Sequence, residues 1–128
     1  MFQFDHIAFY VSDLEKSIRF YRELFDLKPI PNPFPNGKAW FELGANLQLH
    51  LIENPKGVAF VPERNHISFS TITLEDFTSR LDQEGITWSD FKGNQRTIRL
   101  RPDGVQQVYF QDPDGYWIEV NDIVHIPF

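Results

Sequence analysis

Four side chains in this 128-residue chain are candidates to hold a divalent metal ion: His6, His50, His66 and Glu119. Imidazole and carboxylate donors suit zinc, nickel, manganese and iron alike. His6, His66 and Glu119 alone make a two-histidine, one-carboxylate set that leaves positions open for water or substrate. His50 is then a fourth ligand, a hydrogen-bond partner of bound water, or a general base. With no cysteine in the chain, thiolate metal sites, disulfides and a cysteine nucleophile are excluded. A single histidine on a strand is usually structural. What sets these four apart is their position in an internal repeat.

Shifted against itself by 60 positions, the sequence lays Asp5-His6-Ile7-Ala8-Phe9 over Asn65-His66-Ile67-Ser68-Phe69, and the match runs without a gap to Leu14-Glu15 over Leu74-Glu75. In both copies an alternating strand pattern gives way to a helix start. Ser12 or Asp13 can cap the first helix and Thr73 the second. LEKSIRFYRELF places Leu14, Ile18, Tyr21 and Phe25 three or four apart, one apolar stripe. LEDFTSRLDQEG repeats this with Leu74, Phe77 and Leu81, and Gly85 marks its C-terminal stop.

Strands follow each helix: Leu27–Ile30, Lys38–Leu43 and Asn46–Ile52 in the first half, with a turn at Gly44-Ala45. In the second half they fall at Thr87–Phe91, Arg96–Leu100, Gln106–Gln111 and Tyr116–Asn121, with a tight turn at Asp112-Pro113-Asp114-Gly115. The last strands correspond at a shift of 69, so the second half carries an insertion or added strand of nine residues. Each half reads β-α-β-β-β. The expected organisation is one α+β domain, 1–128, made of two modules (about 1–53 and 65–122) joined by a loop near 53–64. So short a module cannot bury both faces of its sheet alone.

Strand parity decides which residues share a face. Ile7, Phe9 and Val11 oppose His6, Ala8 and Tyr10, while Ile67, Phe69 and Thr71 oppose His66, Ser68 and Ser70. Leu47, Leu49 and Leu51 oppose Gln48 and His50; Tyr116, Ile118 and Val120 oppose Trp117, Glu119 and Asn121. One face is apolar and should receive the helices. The other carries His6, His50, His66 and Glu119, paired by the repeat as His6 with His66 and His50 with Glu119. A pseudo-twofold relation between the halves would make them converge. His125, in the tail, is read as structural.

Composition bounds the rest. Twelve basic against 18 acidic side chains give a net charge of -6, the wrong sign for a protein that neutralises nucleic-acid phosphates. No apolar run approaches the roughly 20 residues of a membrane span, and MFQFDHIAFY lacks the pattern of a signal peptide. The expectation is a cytoplasmic protein with no nucleic-acid or membrane partner. Lys92, Arg96, Arg99 and Arg101 form a basic stretch that is either a solvated hairpin or a steering element for a substrate anion. Trp40 and Tyr109 are candidates for an aromatic pocket wall, with Arg99 and Arg101 beside them as substrate contacts. Trp117 lies next to Glu119 by parity.

The segments DHIAFYVSDLEKSIRFYRELFDL, LHLIENP, NHISFST and VYFQDPDGYWIEVND resemble the vicinal oxygen chelate superfamily of glyoxalases, bleomycin-resistance proteins and extradiol dioxygenases. The likeness covers nearly the whole chain and is strongest to the glyoxalase-I-like branch. It implies paired βαβββ units forming a cupped mixed or antiparallel sheet around a metal, and a homodimer. It also implies metal ligands at His6, His66 and Glu119. The fourth glyoxalase position, a carboxylate in that family, falls on His50, leaving Glu119 and His50 as the candidate catalytic bases. The activity implied is a metal-dependent lyase or isomerase acting on a small chelated oxygenated substrate, such as a thiol conjugate. A fosfomycin-resistance-type thiol transferase and a metal-free, bleomycin-binding type of sequestering protein are the alternatives. Length argues against a four-module ring-cleaving dioxygenase.

Overall fold

Apolar residues on alternate positions of a strand, followed by an apolar stripe on a helix, can be buried only if the helix folds back over that face of the sheet. Both halves of the chain do this. A computed structural model describes residues 1–57, 61–62 and 65–124, and the chain divides into two units, Met1–Phe60 and Val61–Phe128. His125 and part of the joining loop, residues 58–60 and 63–64, lie outside the described residues.

The first unit comprises β1 (His6–Val11), α1 (Leu14–Phe25), β2 (Lys28–Ile30), β3 (Lys38–Gly44) and β4 (Leu47–Glu53). Its sheet runs β1-β4-β3-β2. β1 and β4 are parallel and the other neighbours antiparallel. Asp13 caps α1, its Oδ1 accepting from the Lys16 amide at 3.1 Å. Glu15 in the first turn and Arg22 in the last complement the helix dipole. Tyr21 of the predicted stripe is fully buried, together with Val11, Leu49 and Leu51, and Phe41 almost so. Burying each such apolar side chain stabilises the unit by about 1.5–3 kcal/mol.

The second unit comprises β5 (His66–Ser70), α2 (Leu74–Gln83), β6 (Trp88–Ser89), β7 (Arg99–Leu100), β8 (Gln106–Gln111) and β9 (Trp117–Asn121). Its order is β5-β9-β8-β6, with β7 also pairing β8. The added residues lie between β6 and β8 and supply β7. Leu74 and Leu81 of α2 are buried, and Phe77 meets Phe110 at 5.8 Å between ring centroids. Gly85 ends the helix with φ +70, the Gly85 amide reaching the Asp82 carbonyl and the Ile86 amide that of Leu81. This is a Schellman closure, which favours glycine at that position.

Several expected boundaries shift, each for a local reason. The hairpin between β3 and β4 turns at Ala45-Asn46, one residue later than expected, because a two-residue turn matched to strand twist needs both central residues at positive φ; they have 49° and 64°. Thr73 stands at the N-cap of α2 without making a side-chain cap bond, its hydroxyl being paired with Thr71 at 3.2 Å. No strand begins at Arg96, whose φ is 53°. Asp90 there accepts from the Lys92 and Asn94 amides, so the chain loops between β6 and β7 instead of extending.

Register completes what parity began. Ala8 and Trp40 flank His50 across β1, β4 and β3. Ser68 and Tyr109 flank Glu119 across β5, β9 and β8. The two units present the same three-position frame with different chemistry in it.

Candidate functional site

In the first unit, the face of the sheet away from α1 carries a column of rings. The His50 imidazole lies parallel to the Trp40 ring, 3.9 Å between centroids and 3° between planes. On its other side it stacks on His6 at 4.1 Å and 14°. His50 Nε2–H donates to Gln48 Oε1 at 2.8 Å. Burial, followed by the neighbouring His6, pushes its pKa below that of an ordinary histidine, so it is neutral at pH 7. His6 donates Nδ1–H to Asp5 Oδ2 at 2.6 Å, leaving the Nε2 lone pair unshared by that bond. Phe34, Lys38, Asp5 and Pro33 complete a groove of about 570 Å³ around these rings. Another cleft of about 550 Å³, lined by Arg19, Arg22 and Lys28, contains none of the candidate residues.

The corresponding place in the second unit holds a carboxylate in a cage of donors. Glu119 is 6% exposed. Its Oε2 accepts from Asn121 Nδ2 at 2.7 Å and from Ser68 Oγ at 2.9 Å, and its Oε1 from the Tyr109 hydroxyl at 2.9 Å. Burial alone would raise its pKa, but the bonds from Asn121, Ser68, Tyr109 and Gln107 outweigh it and hold the carboxyl below its usual range. Tyr109 answers in the opposite sense. Desolvation first, then the bond to Glu119, push its phenol up to about 12, against the pull of Arg99. His66 Nε2 sits 3.4 Å from Glu119 Oε1, and its ring meets Tyr109 edge-on at 5.7 Å.

The sequence candidates thus stand as two pairs: His6 with His50 in one unit, His66 with Glu119 in the other. Among the described residues, no three His, Asp or Glu side chains form a group placed to hold one ion. Trp40 lines the groove as expected. Tyr109 is only 4% exposed, with its hydroxyl bound to Glu119, so it supports the carboxylate rather than walling an open pocket. Arg99 lies over the Phe91 ring at 4.9 Å. Arg101 is paired with Asp103 through two nitrogens, closing its own turn, and Arg96 with Asp82. Most of the basic stretch is therefore engaged locally. Parity put Gln48 and Asn121 on these faces without giving them a part to play, and it left out Lys38 and Gln107. Ser68 and Asn121 were findable, since both share Glu119's face on its own or the adjacent strand.

Residues 3–120 match the sequence profile of the Glyoxalase/Bleomycin resistance protein/Dioxygenase superfamily. The chain belongs to this superfamily. Among curated relatives, it is 26% identical over 130 residues to "Glyoxylase I 4" of Arabidopsis thaliana, covering 96% of this chain and 72% of that protein. It is 32% identical over 126 residues to the metallothiol transferase FosB of Staphylococcus epidermidis, covering 91% of this chain and 79% of that one. The crystal structure of the fosfomycin resistance protein FosX from Listeria monocytogenes shares the fold, with a TM-score of 0.74 at 23% identity, over 97% of this chain and 95% of that chain. The superfamily therefore contains enzymes, and its α+β fold is the one described above. Among the described residues, no helix is long and apolar enough to cross a membrane.

A divalent ion of the kind the superfamily implies can be tested against the donors present. Two ligands bonded to one tetrahedral ion at about 2.0–2.2 Å lie about 3.3–3.6 Å apart. His66 Nε2 and Glu119 Oε1, at 3.4 Å, meet that spacing. Glu119 is ionised and oriented, as a ligand must be. His6 has its Nδ1 proton held by a carboxylate, the outer partner that commonly fixes a metal-binding imidazole in its Nε2 tautomer. These three fit. His50 fits less well, because ligation through Nε2 would break its bond to Gln48.

Proposed function

We propose that this chain is a metal-dependent enzyme acting on a small molecule with adjacent oxygen atoms, with His66, Glu119 and His6 as the ligands and the two modules working as one domain. The observation that supports this most directly is the 3.4 Å spacing of His66 and Glu119 beside a carboxylate that four hydrogen bonds keep ionised. A divalent ion bound there would polarise a chelated substrate oxygen and stabilise negative charge developing on it. Tyr109, Ser68, Asn121 and Gln107 make Glu119 a fixed acceptor whose lowered pKa suits a ligand and not a proton carrier. His50 is then the base, neutral at pH 7 and held in orientation by Trp40 and Gln48.

Two chemistries use such a site. In the glyoxalase-like reading, a lyase or isomerase, His50 moves a proton between neighbouring carbons of a thiol conjugate. In the thiol-transfer reading, His50 accepts the proton of an incoming thiol as its sulfur bonds to a substrate carbon; the bond from that carbon to its ring oxygen breaks, and the oxygen keeps the electron pair as an alkoxide that a bound ion would stabilise. The second is favoured by the absence of a carboxylate at position 50 and by the metallothiol transferase relatives. We further propose a cytoplasmic homodimer, since short βαβββ units leave sheet edges to be covered.

The test is metal analysis of protein purified without chelator, followed by turnover of hemithioacetals, fosfomycin with a thiol, and catechols after loading with zinc, nickel, manganese or iron. Stoichiometric metal that His66→Ala removes, with turnover of one of the first two, is the expected result. Metal-free protein that folds and binds ligand without turnover would replace the enzyme with a sequestering protein.

A further inference from the structure

We infer that the groove of the first unit is an anion site, in which Lys38 takes a carboxylate, phosphonate or phosphate group carried by the substrate away from its chelating oxygens. The inference deepens the proposed function by naming a substrate class, yet binding in this groove does not require the metal.

Lys38 opens β3 on the same face as Trp40, two residues on, and both line the groove with His50. Its ammonium lies 4.3 Å from the centre of the Phe34 ring. The loop that carries Phe34 is tied to this lysine from both sides of Asn32. The Phe34 amide donates to Asn32 Oδ1 at 2.9 Å, and Asn32 Nδ2 donates to the Lys38 carbonyl at 3.4 Å. The charge is therefore held by a ring quadrupole, which attracts a cation without neutralising it.

No ion pair of Lys38 with a carboxylate is found among the described residues, unlike Arg80, Arg96 and Arg101, each paired with an acid. Lys38 lines this groove in a chain of net charge -6. Asp5, the acidic residue lining the groove, is already bonded to His6. A ligand anion would complete the position that a carboxylate fills elsewhere, in a charge-assisted bond. Phe34 and Trp40 would cover its apolar carbons.

The experiment titrates the metal-stripped full-length protein with methylphosphonate, inorganic phosphate, lactate and the neutral 1,2-propanediol, reading tryptophan fluorescence, with Trp40→Phe assigning the signal. At least one anion binds and the diol does not; the relative affinities of phosphonate, phosphate and lactate name the preferred group. Lys38→Gln weakens that binding about tenfold or more, and Lys38→Arg restores it. Equal affinity for diol and anions in the wild-type protein overturns the site without recourse to any variant, as does undiminished anion binding by a folded Lys38→Gln protein. Because no metal is present, either failure leaves the metal centre standing, and failure of the protein to bind metal leaves this titration unchanged.

Discussion

Position for position, His50 and Glu119 occupy the same frame in two copies of one βαβββ unit, and their surroundings have diverged in opposite directions. Around His50 the neighbours are flat and weakly polar: Trp40 on one face, His6 on the other, a single amide at its edge. Around Glu119 they are donors, from Ser68, Tyr109, Asn121 and Gln107. The first environment holds its residue neutral; the second holds its residue charged. A duplicated scaffold thereby carries a neutral imidazole in one copy and an ionised carboxylate in the other, and the difference is made by three or four flanking side chains.

The sharpest way to break this contrast is Glu119→Ala. It removes the acceptor of four donors, three of them, Tyr109, Asn121 and Gln107, buried, and we expect a stability loss of about 2–4 kcal/mol in denaturant unfolding together with loss of bound metal by elemental analysis. A variant as stable as the wild type and still metal-loaded would show that the cage is not organised around a charge. Asp5→Asn should leave the fold intact and weaken metal affinity about 10–100-fold, measured by competition with a chromogenic chelator; unchanged affinity would separate His6 from the ion.

Smaller effects test the stack and the phenol. A double-mutant cycle of Trp40→Ala and His50→Ala should return a coupling of about 0.5–1.5 kcal/mol, whereas zero coupling would reduce the stack to mere adjacency. In a spectrophotometric titration of the metal-free protein, the phenol missing from Tyr109→Phe should ionise near 12. Its folded pKa lies above the ordinary value of about 10. Its contribution to stability is therefore complete below pH 10 and is lost as the pH rises through 12. A Tyr109 that titrates near the ordinary value of about 10 would mean that Glu119 does not hold it.

Much of this was legible in the chain. The repeat at 60 residues, the alternation in HIAFYV and NHISFS, and the stripe on LEKSIRFYRELF pointed to the element order, because each pattern has the period of one kind of element. The faces of His6, His50, His66 and Glu119 followed from a period of two. The short extents of β6 and β7 did not, since Arg96 looks extended by composition and turns only because Asp90 captures the amides ahead of it. Nor was it visible that Arg101 closes its own turn with Asp103 or that Tyr109 serves Glu119.

The amino-acid sequence by itself determined the duplicated architecture and the face on which each candidate ligand stands, because periodicity is a property of one strand or helix at a time. Tertiary structure decided which side chains meet. The register of β8 against β9 puts Tyr109 on Glu119, that of β3 against β4 lays Trp40 on His50, and the Asn32 loop brings Phe34 over Lys38. The first two contacts depend on offsets between separate strands, and a one-residue slip would turn them to the opposite face; the third depends on a loop folding back on its own strand.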